Sequence, residues 1–426
     1  VNTLEITPVD KPVNADVTVP GSKSYTNRAL LIAALADGVT TLTGALFSDD
    51  TKYMADSLRR LGIEVEEDPD SATFVVHGTG GRIPADTAEL FVGGSGTCAR
   101  FLSAFVALGN GRFVIDGVDR TRERPIQDLL TGLNGLGVDA TSQNETGCPP
   151  VVVNADGIKG GRTFMPGDRS SQYFTALLLV APYAQENTDI RVEGELASSP
   201  YIDMTLDIMR RFGVDVVNDD YNAFHVRAGQ RYNGTTYAVE PDATNATYFM
   251  AAAAITGGRV TVKGLTEDSA QGDVRFARIL EQMGCTVSVD DSGITVRGPD
   301  QLHGIDIDLN SMPDTAQTLW AIAPFASTAV TVRNVPVLRI HETDRIAAME
   351  NELTRLGVRV KAWGDGMTVY PASEILPTRL ETYDDHRMAM SLALIGLREP
   401  GVILIDPDCV NKTFPDYFTV LDTLRA

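Results

Sequence analysis

Residues 339 to 345 read RIHETDR. His341, Glu342, Asp344 and two arginines within that run combine a proton-transfer carboxylate, a titratable ring and guanidinium forks that grip carboxylates or phosphates. Read as an ordinary charged helix start, the run is only half explained. Ile346, Met349, Leu353 and Leu356 follow at helical spacing, and acids suit a first turn. His341 and Arg345 do not suit a positive helix end.

The same mismatch recurs along the chain. GSKSYTNR, GGSGTCAR, GDRSSQYF, EPDATNATYF, MPDTAQT and DDHRMAM each precede an apolar, small-residue segment and are rich in Gly, Ser, Thr or Asp. Such residues are ordinary N-caps. Several also carry a cation near the start: Lys23, Arg28, Arg100 and Arg387. Helix starts already hold unpaired N–H groups and partial positive charge, so added cations imply a bound anion. DRTRERPI adds Arg120, Arg122 and Arg124, for which a solvated face is an equal reading, and NKTFPDYF adds Lys412. Nucleotide-loop, serine-elbow and zinc-helix signatures are missing: no GxxxxGK[ST], GxGxxG after a first strand, GxSxG or HExxH.

Composition narrows the class. The 426 residues exceed what one core usually serves, so two domains are expected. A net charge of −21 speaks against nucleic acid or anionic membrane as partners. Four scattered cysteines without CxxC spacing speak against zinc or a disulfide framework, and no apolar run has membrane-spanning length. A reduced, cytoplasmic setting is expected, since VNTLEITPVDKPVN does not read as a signal peptide.

What positions the polar residues is a repeat. Glycines at 62, 137, 213, 284 and 357 close the segments RRLGIEV, NGLGVDA, RRFGVDV, EQMGCTV and TRLGVRV. Each marks a helix ending on a left-handed residue and running into a strand. Upstream of each lies a nearly all-apolar helix, such as NRALLIAALADG or QYFTALLLVAPYA, followed by an alternating strand such as GRFVIDG or RVTVKG. A sixth such helix, HRMAMSLALIGL, leads to the strand GVILID and a last helix, FPDYFTVLDTLRA. Six α/β units cannot share one core, so three per domain is expected. The boundaries fall near residues 20 and 240: residues 1–20 with 240–426 make a discontinuous domain, and 21–239 an inserted one.

Taken in order, PGSKSYTNRAL, RERPI, SSQYFTALL, SPYIDMTLDIM, QGDVRF, ETDR, DDHRMAM and KTFPDYF span essentially the whole chain. Together they resemble the 5-enolpyruvylshikimate-3-phosphate synthase family. The resemblance implies a two-domain inverse α/β barrel of six βαβαββ repeats, three per domain, with the active site in the cleft between them. It implies transfer of the enolpyruvyl group of phosphoenolpyruvate to the 5-hydroxyl of shikimate 3-phosphate with release of phosphate, and a monomer needing neither metal nor cofactor.

Carried over residue by residue, the resemblance gives Lys23, Gly96, Arg124, Gln172, Arg345, Arg387 and Lys412 to phosphoenolpyruvate. It gives Lys23, Ser24, Arg28, Ser170, Ser171, Gln172, Ser198, Tyr201, Asp314 and His341 to shikimate 3-phosphate. Asp314 and Glu342 become the two carboxylates in complementary protonation states, one near the hydroxyl and one near the methylene, with Lys23 steadying the attacking oxygen. Three positions depart from the usual pattern. Gly94 stands where an asparagine amide is common, which bears on glyphosate sensitivity; Val337 and His341 stand where asparagine and lysine are common. With an unperturbed pKa of about 6.5, His341 is expected to meet the substrate phosphate as the imidazolium. Two alternatives are a UDP-N-acetylglucosamine enolpyruvyl transferase, which shares fold and chemistry but uses a loop cysteine that RTRERPI lacks, and a non-catalytic paralogue that binds similar anions.

Overall fold

Small apolar residues on every side of a helix leave it no face for water, so it must be walled in. In the computed structural model, which describes residues 2–425, this is the fate of α1 (Lys23–Leu35), α3 (Gly96–Phe105), α5 (Ser171–Val180), α7 (Ala243–Thr256), α9 (Ala316–Ile322) and α11 (His386–Gly396). All ten residues of α3 are buried, and so are all eleven of α11. The partner helices are one-sided: α2 (Asp49–Arg60), α4 (Gln127–Gly135), α6 (Pro200–Arg211), α8 (Phe276–Gln282) and α10 (Arg345–Arg355). In α10, for example, Ile346, Met349 and Leu353 turn inward while Asn351 and Thr354 stay exposed.

The chain divides into two compact units, Val1–Pro20 with Glu240–Ala426, and Gly21–Val239. The unit of residues 21–239 holds three four-stranded sheets. In one of them Thr87–Phe91 runs parallel to Asn110–Asp116, and Val151–Asp156 and Asp139–Ser142 follow antiparallel. That is the βαβαββ order, with α3 as the crossover and α4 leading to the closing hairpin. The other unit has two such sheets and one of three strands.

Two strands are exchanged at the crossing points. Asn14–Val17, just ahead of α1, pairs parallel with Arg259–Lys263 in the sheet that follows α7. Thr236–Ala238, just ahead of α7, pairs parallel with Val39–Thr43 in the sheet that follows α1. The sixth repeat departs from the expected plan. After Val402–Ile405 the chain turns at Asp406 (φ 53°) and Pro407 into a 3-10 segment, and Thr3–Glu5 supplies the strand its sheet would otherwise lack. The last helix is also shorter than its sequence suggests: Pro415 delays it, and α12 covers only Tyr417–Asp422.

The five helix-ending glycines share one local structure, with φ between +80° and +105°. At Gly62 the amide donates to the Arg59 carbonyl (2.9 Å) and that of Ile63 to the Leu58 carbonyl (3.0 Å), and the same pair recurs at Gly137, Gly213, Gly284 and Gly357. The i−5 bond satisfies a carbonyl that the helix end would leave open. A Cβ at Gly62 would also stand 2.9 Å from the Pro84 Cβ. Gly62→Ala is therefore expected to lower stability by about 1 kcal/mol or more, read as a reduced urea midpoint with unchanged m-value; an unaltered midpoint would refute the steric account.

Candidate active site

In RIHETDR the structure separates scaffold from chemistry. Asp344 caps α10, accepting from the Ala347 amide (3.0 Å), and is itself held by Arg339, whose other nitrogens bond the Gly364 and Trp363 carbonyls. Arg345 is only 1 % exposed, and its neighbours use every donor of its guanidinium. Nε and Nη2 fork onto Asp385 (2.8 and 3.2 Å), and Nη2 also reaches Glu342 Oε2 (2.9 Å). Nη1 reaches Asp314 Oδ1 (2.9 Å) and His341 Nδ1 (3.0 Å). Burial opposes this charge, yet Asp385, Glu342 and Asp314 together keep the guanidinium even more firmly protonated than a free arginine.

Two more cations complete the cluster. Arg387 Nη2 lies 3.1 Å from Asp314 Oδ2, and Lys412 Nζ 2.8 Å from Glu342 Oε1. Asp314 is not the N-cap that its position suggests: it lies in the 3-10 turn Pro313–Thr315 with its carboxylate between Arg387 and Arg345. Burial would push that carboxyl up; Arg387 and Arg345 outweigh it and hold Asp314 well below the usual carboxylate range. Asp314 is thus held as the carboxylate anion. Behind Arg387, the Tyr248 hydroxyl accepts from Nη1 (3.5 Å), and burial pushes that phenol up to about 12.

His341 Nδ1 lies 3.0 Å from Arg345 Nη1 and 3.5 Å from Asp314 Oδ1, so the ring meets a cation and a carboxylate at the same nitrogen.

The unit of residues 21–239 keeps its arginines differently. Arg28, 2 % exposed, bonds the Thr205 hydroxyl (2.9 Å), the Ser24 carbonyl (2.9 Å), the Tyr201 carbonyl (3.2 Å) and the Thr175 hydroxyl (3.4 Å). None of these is a carboxylate. Burial brings Arg28 down to about 10, the mark of a cation whose charge the described residues leave unbalanced. Lys23, the first residue of α1, stands 3.6 Å from Asp50. Ser170 caps α5 at the Gln172 amide (3.2 Å), with Ser171 buried beside it. Ser198 takes a left-handed φ of 56° in the turn before α6. Arg100 donates to Gln172 Oε1 (2.8 Å), and a Cβ on Gly96 would lie 2.6 Å from Arg100 Nη1 and 2.7 Å from Arg124 Nη1. Only glycine leaves both guanidinium groups in place there.

The structure also divides the arginines of DRTRERPI. Arg120 and Arg122 pair with Glu123, Asp116 and Asp119 on the surface, whereas Arg124 is buried and approaches the Gly94 carbonyl (3.5 Å). Sequence reasoning missed Asp385, Asp50, Thr97 and Asp273. Asp385 lay among the capping residues of DDHRMAM, and Thr97, within GGSGTCAR, stands 3.5 Å from Gln172 Nε2. Elsewhere, Glu64, Glu66 and His77 place three potential ligand atoms within 4.8 Å of one another near the surface, where the His77–Glu66 contact of 2.9 Å already accounts for the ring. Among the described residues no helix is long and apolar enough to cross a membrane.

Three-sheet α/β units with buried helices, helix starts bearing fixed cations, and two carboxylates set among guanidinium groups define an enzyme acting on small, multiply charged anions. The comparisons with known proteins give the family. A family model described as EPSP synthase (3-phosphoshikimate 1-carboxyvinyltransferase) matches residues 8–421. The chain is 51% identical over 418 residues to the 3-phosphoshikimate 1-carboxyvinyltransferase of a Nostoc species, covering 98% of both chains, and 45% identical to that of Shewanella loihica, covering 97% of both. A solved EPSP synthase from Acinetobacter baumannii superposes with a TM-score of 0.84 at 26% identity, over 100% of this chain and 98% of that one. The chain belongs to the EPSP synthase family and has its two-domain inverse α/β fold.

One buried acid titrates near neutrality. Asp273, in QGDVRF, accepts from the Thr244 hydroxyl; burial, then the charge of Asp314, pushes it up to about 7. The folded chain keeps this proton where the unfolded chain has lost it, so stability falls as pH rises from the ordinary 3.8 to about 7 and levels off above. Asp273→Asn removes that slope. Its melting temperature relative to wild type is expected to be higher at about pH 8 than at about pH 5; an equal difference at both would contradict the assignment.

Proposed function

We propose that this chain catalyses the reaction for which its family is named, transfer of the 1-carboxyvinyl group of phosphoenolpyruvate to the 5-hydroxyl of shikimate 3-phosphate with release of phosphate. The observation that carries this reading to particular atoms is a pair of carboxylates that share Arg345, each with a further cation of its own. Asp314 is held ionised between Arg345 and Arg387, and Glu342 is shared between Arg345 and Lys412.

In this reading both units supply substrate ligands. Ser24, Arg28, Ser170, Ser171, Gln172, Ser198, Tyr201 and His341 take shikimate 3-phosphate; Gly96, Arg124, Gln172, Arg345, Arg387 and Lys412 take phosphoenolpyruvate; and Lys23 serves both. The unbalanced charge of Arg28 supports its share, because a phosphate would supply the missing anion. Asp314 accepts the hydroxyl proton as the oxygen bonds C2 of phosphoenolpyruvate, and C3 gains a proton from Glu342 to give a tetrahedral ketal. C3 then returns its proton to Glu342, the C2–O bond to phosphate breaks, and the hydroxyl proton leaves with the phosphate. All five donors of Arg345 are engaged beforehand, so an incoming carboxylate takes over a position held by Glu342 or His341. Binding thereby frees Glu342 for its proton transfer. The reading extends to a cytoplasmic monomer.

The deciding assay is phosphate release from phosphoenolpyruvate plus shikimate 3-phosphate. Turnover is expected with that pair and not with UDP-N-acetylglucosamine as acceptor; release with neither would support the non-catalytic alternative. Asp314→Asn and Glu342→Gln are each expected to lower kcat by about 10²–10⁴-fold, and near-normal turnover in either would remove that residue from the chemistry.

His341 gives a separate test. If the imidazolium meets the phosphate, the KM for shikimate 3-phosphate is expected to climb with pH as the ring loses its proton, while that of His341→Lys stays level over the same range. Identical pH profiles in the two would remove the imidazolium.

A further inference from the structure

Between the strand Thr378–Glu381 and α11 the chain turns through Thr382, Tyr383, Asp384 and Asp385. Tyr383 (φ 57°) and Asp384 (φ 52°) are both left-handed. For residues with side chains each such conformation costs about 1–3 kcal/mol, and it persists only where the surroundings enforce it. The enforcing group is Glu352, a fully buried acid of α10. Its Oε1 accepts from the Tyr383 hydroxyl (2.7 Å) and its Oε2 from the Glu381 amide (3.1 Å). The nearest cation, Arg355, is half exposed and 3.6 Å away. A buried carboxylate with such partners is a weak device for stability alone.

The corner delivers Asp385. The Asp385 amide donates to the Thr382 carbonyl (3.0 Å), the Thr382 hydroxyl to the Ile405 carbonyl (2.8 Å), and the Asp385 carboxylate caps α11 at the Arg387 amide (2.9 Å) while forking onto Arg345. Arg345 is the first residue of α10, and Glu352 lies two turns along the same helix. One helix thus presents the guanidinium at its start and, seven residues on, grips the corner that brings a carboxylate back to that guanidinium.

We propose that Glu352 and Tyr383 are positioning residues of the reaction: they lock the left-handed corner at 383–384 so that Asp385 fixes the plane of Arg345 before phosphoenolpyruvate arrives. The proposal rests on the reading of Arg345 as a phosphoenolpyruvate ligand. A tilt of the guanidinium moves its Nη atoms by a fraction of their bond distances and should be felt by one substrate only.

The test uses the full chain with Tyr383→Phe, which removes one oxygen and no bulk, alongside Glu352→Gln and Arg345→Gln, with KM for each substrate, kcat and melting temperature measured. Tyr383→Phe is expected to raise the KM for phosphoenolpyruvate by about tenfold while the KM for shikimate 3-phosphate stays within about twofold. Glu352→Gln, which turns an amide N–H toward a donor, should do the same. Both KM values unchanged, or both shifting together with the melting temperature, would overturn the proposal and leave the pair a structural brace. Arg345→Gln separates the two readings. If it raises the KM for phosphoenolpyruvate and Tyr383→Phe does not, only the positioning role fails; if it leaves that KM unchanged, the assignment of Arg345 fails and the positioning role with it.

Discussion

A guanidinium removed from water must satisfy five N–H donors and one charge at the same place, and Arg345 does so with five acceptors from four residues. That requirement ties together segments far apart in the chain. The 3-10 turn of Asp314, the start of α10 and the cap of α11 have to meet at one point, and each is fixed in orientation by the planar fork. Asp314 is held ionised and Glu342 is held near Lys412 as consequences of the same arrangement.

The second unit solves the same problem by other means. Arg28 is wrapped by hydroxyls and carbonyls, which satisfy its donors but leave its charge uncompensated, so burial depresses it rather than reinforcing it. One arginine has its charge balanced within the protein; the other has its donors satisfied and its charge unbalanced.

Local features were the legible ones. Helix ends at Gly62, Gly137, Gly213, Gly284 and Gly357 could be read because the left-handed turn is a property of one residue and its neighbours. Apolar helices announced their burial by composition. What failed were distinctions settled by distant partners. Asp314 looked like a cap and is an ion-pair centre, whereas Asp385 caps a helix and grips Arg345 as well. Arg122 and Arg124 are two residues apart, yet one reaches surface acids and the other is buried. His341 has both Arg345 and the distant Asp314 at one ring nitrogen, a placement that its own segment does not announce. The sixth repeat could not be completed from its own sequence, because its missing strand lies at Thr3–Glu5.

That borrowed strand has a consequence for synthesis. Residues 21–239 form a closed set of pairings and can fold as soon as they clear the ribosome. Thr3 has to wait for Ile405, and Asn14 for Arg259, with the whole of the other unit made in between. Residues 3–17 therefore stay unpaired beside a finished neighbour while the rest of their own unit is made. The charges of Glu5, Asp10 and Lys11 and the prolines at 8 and 12 disfavour pairing with a wrong sheet edge meanwhile.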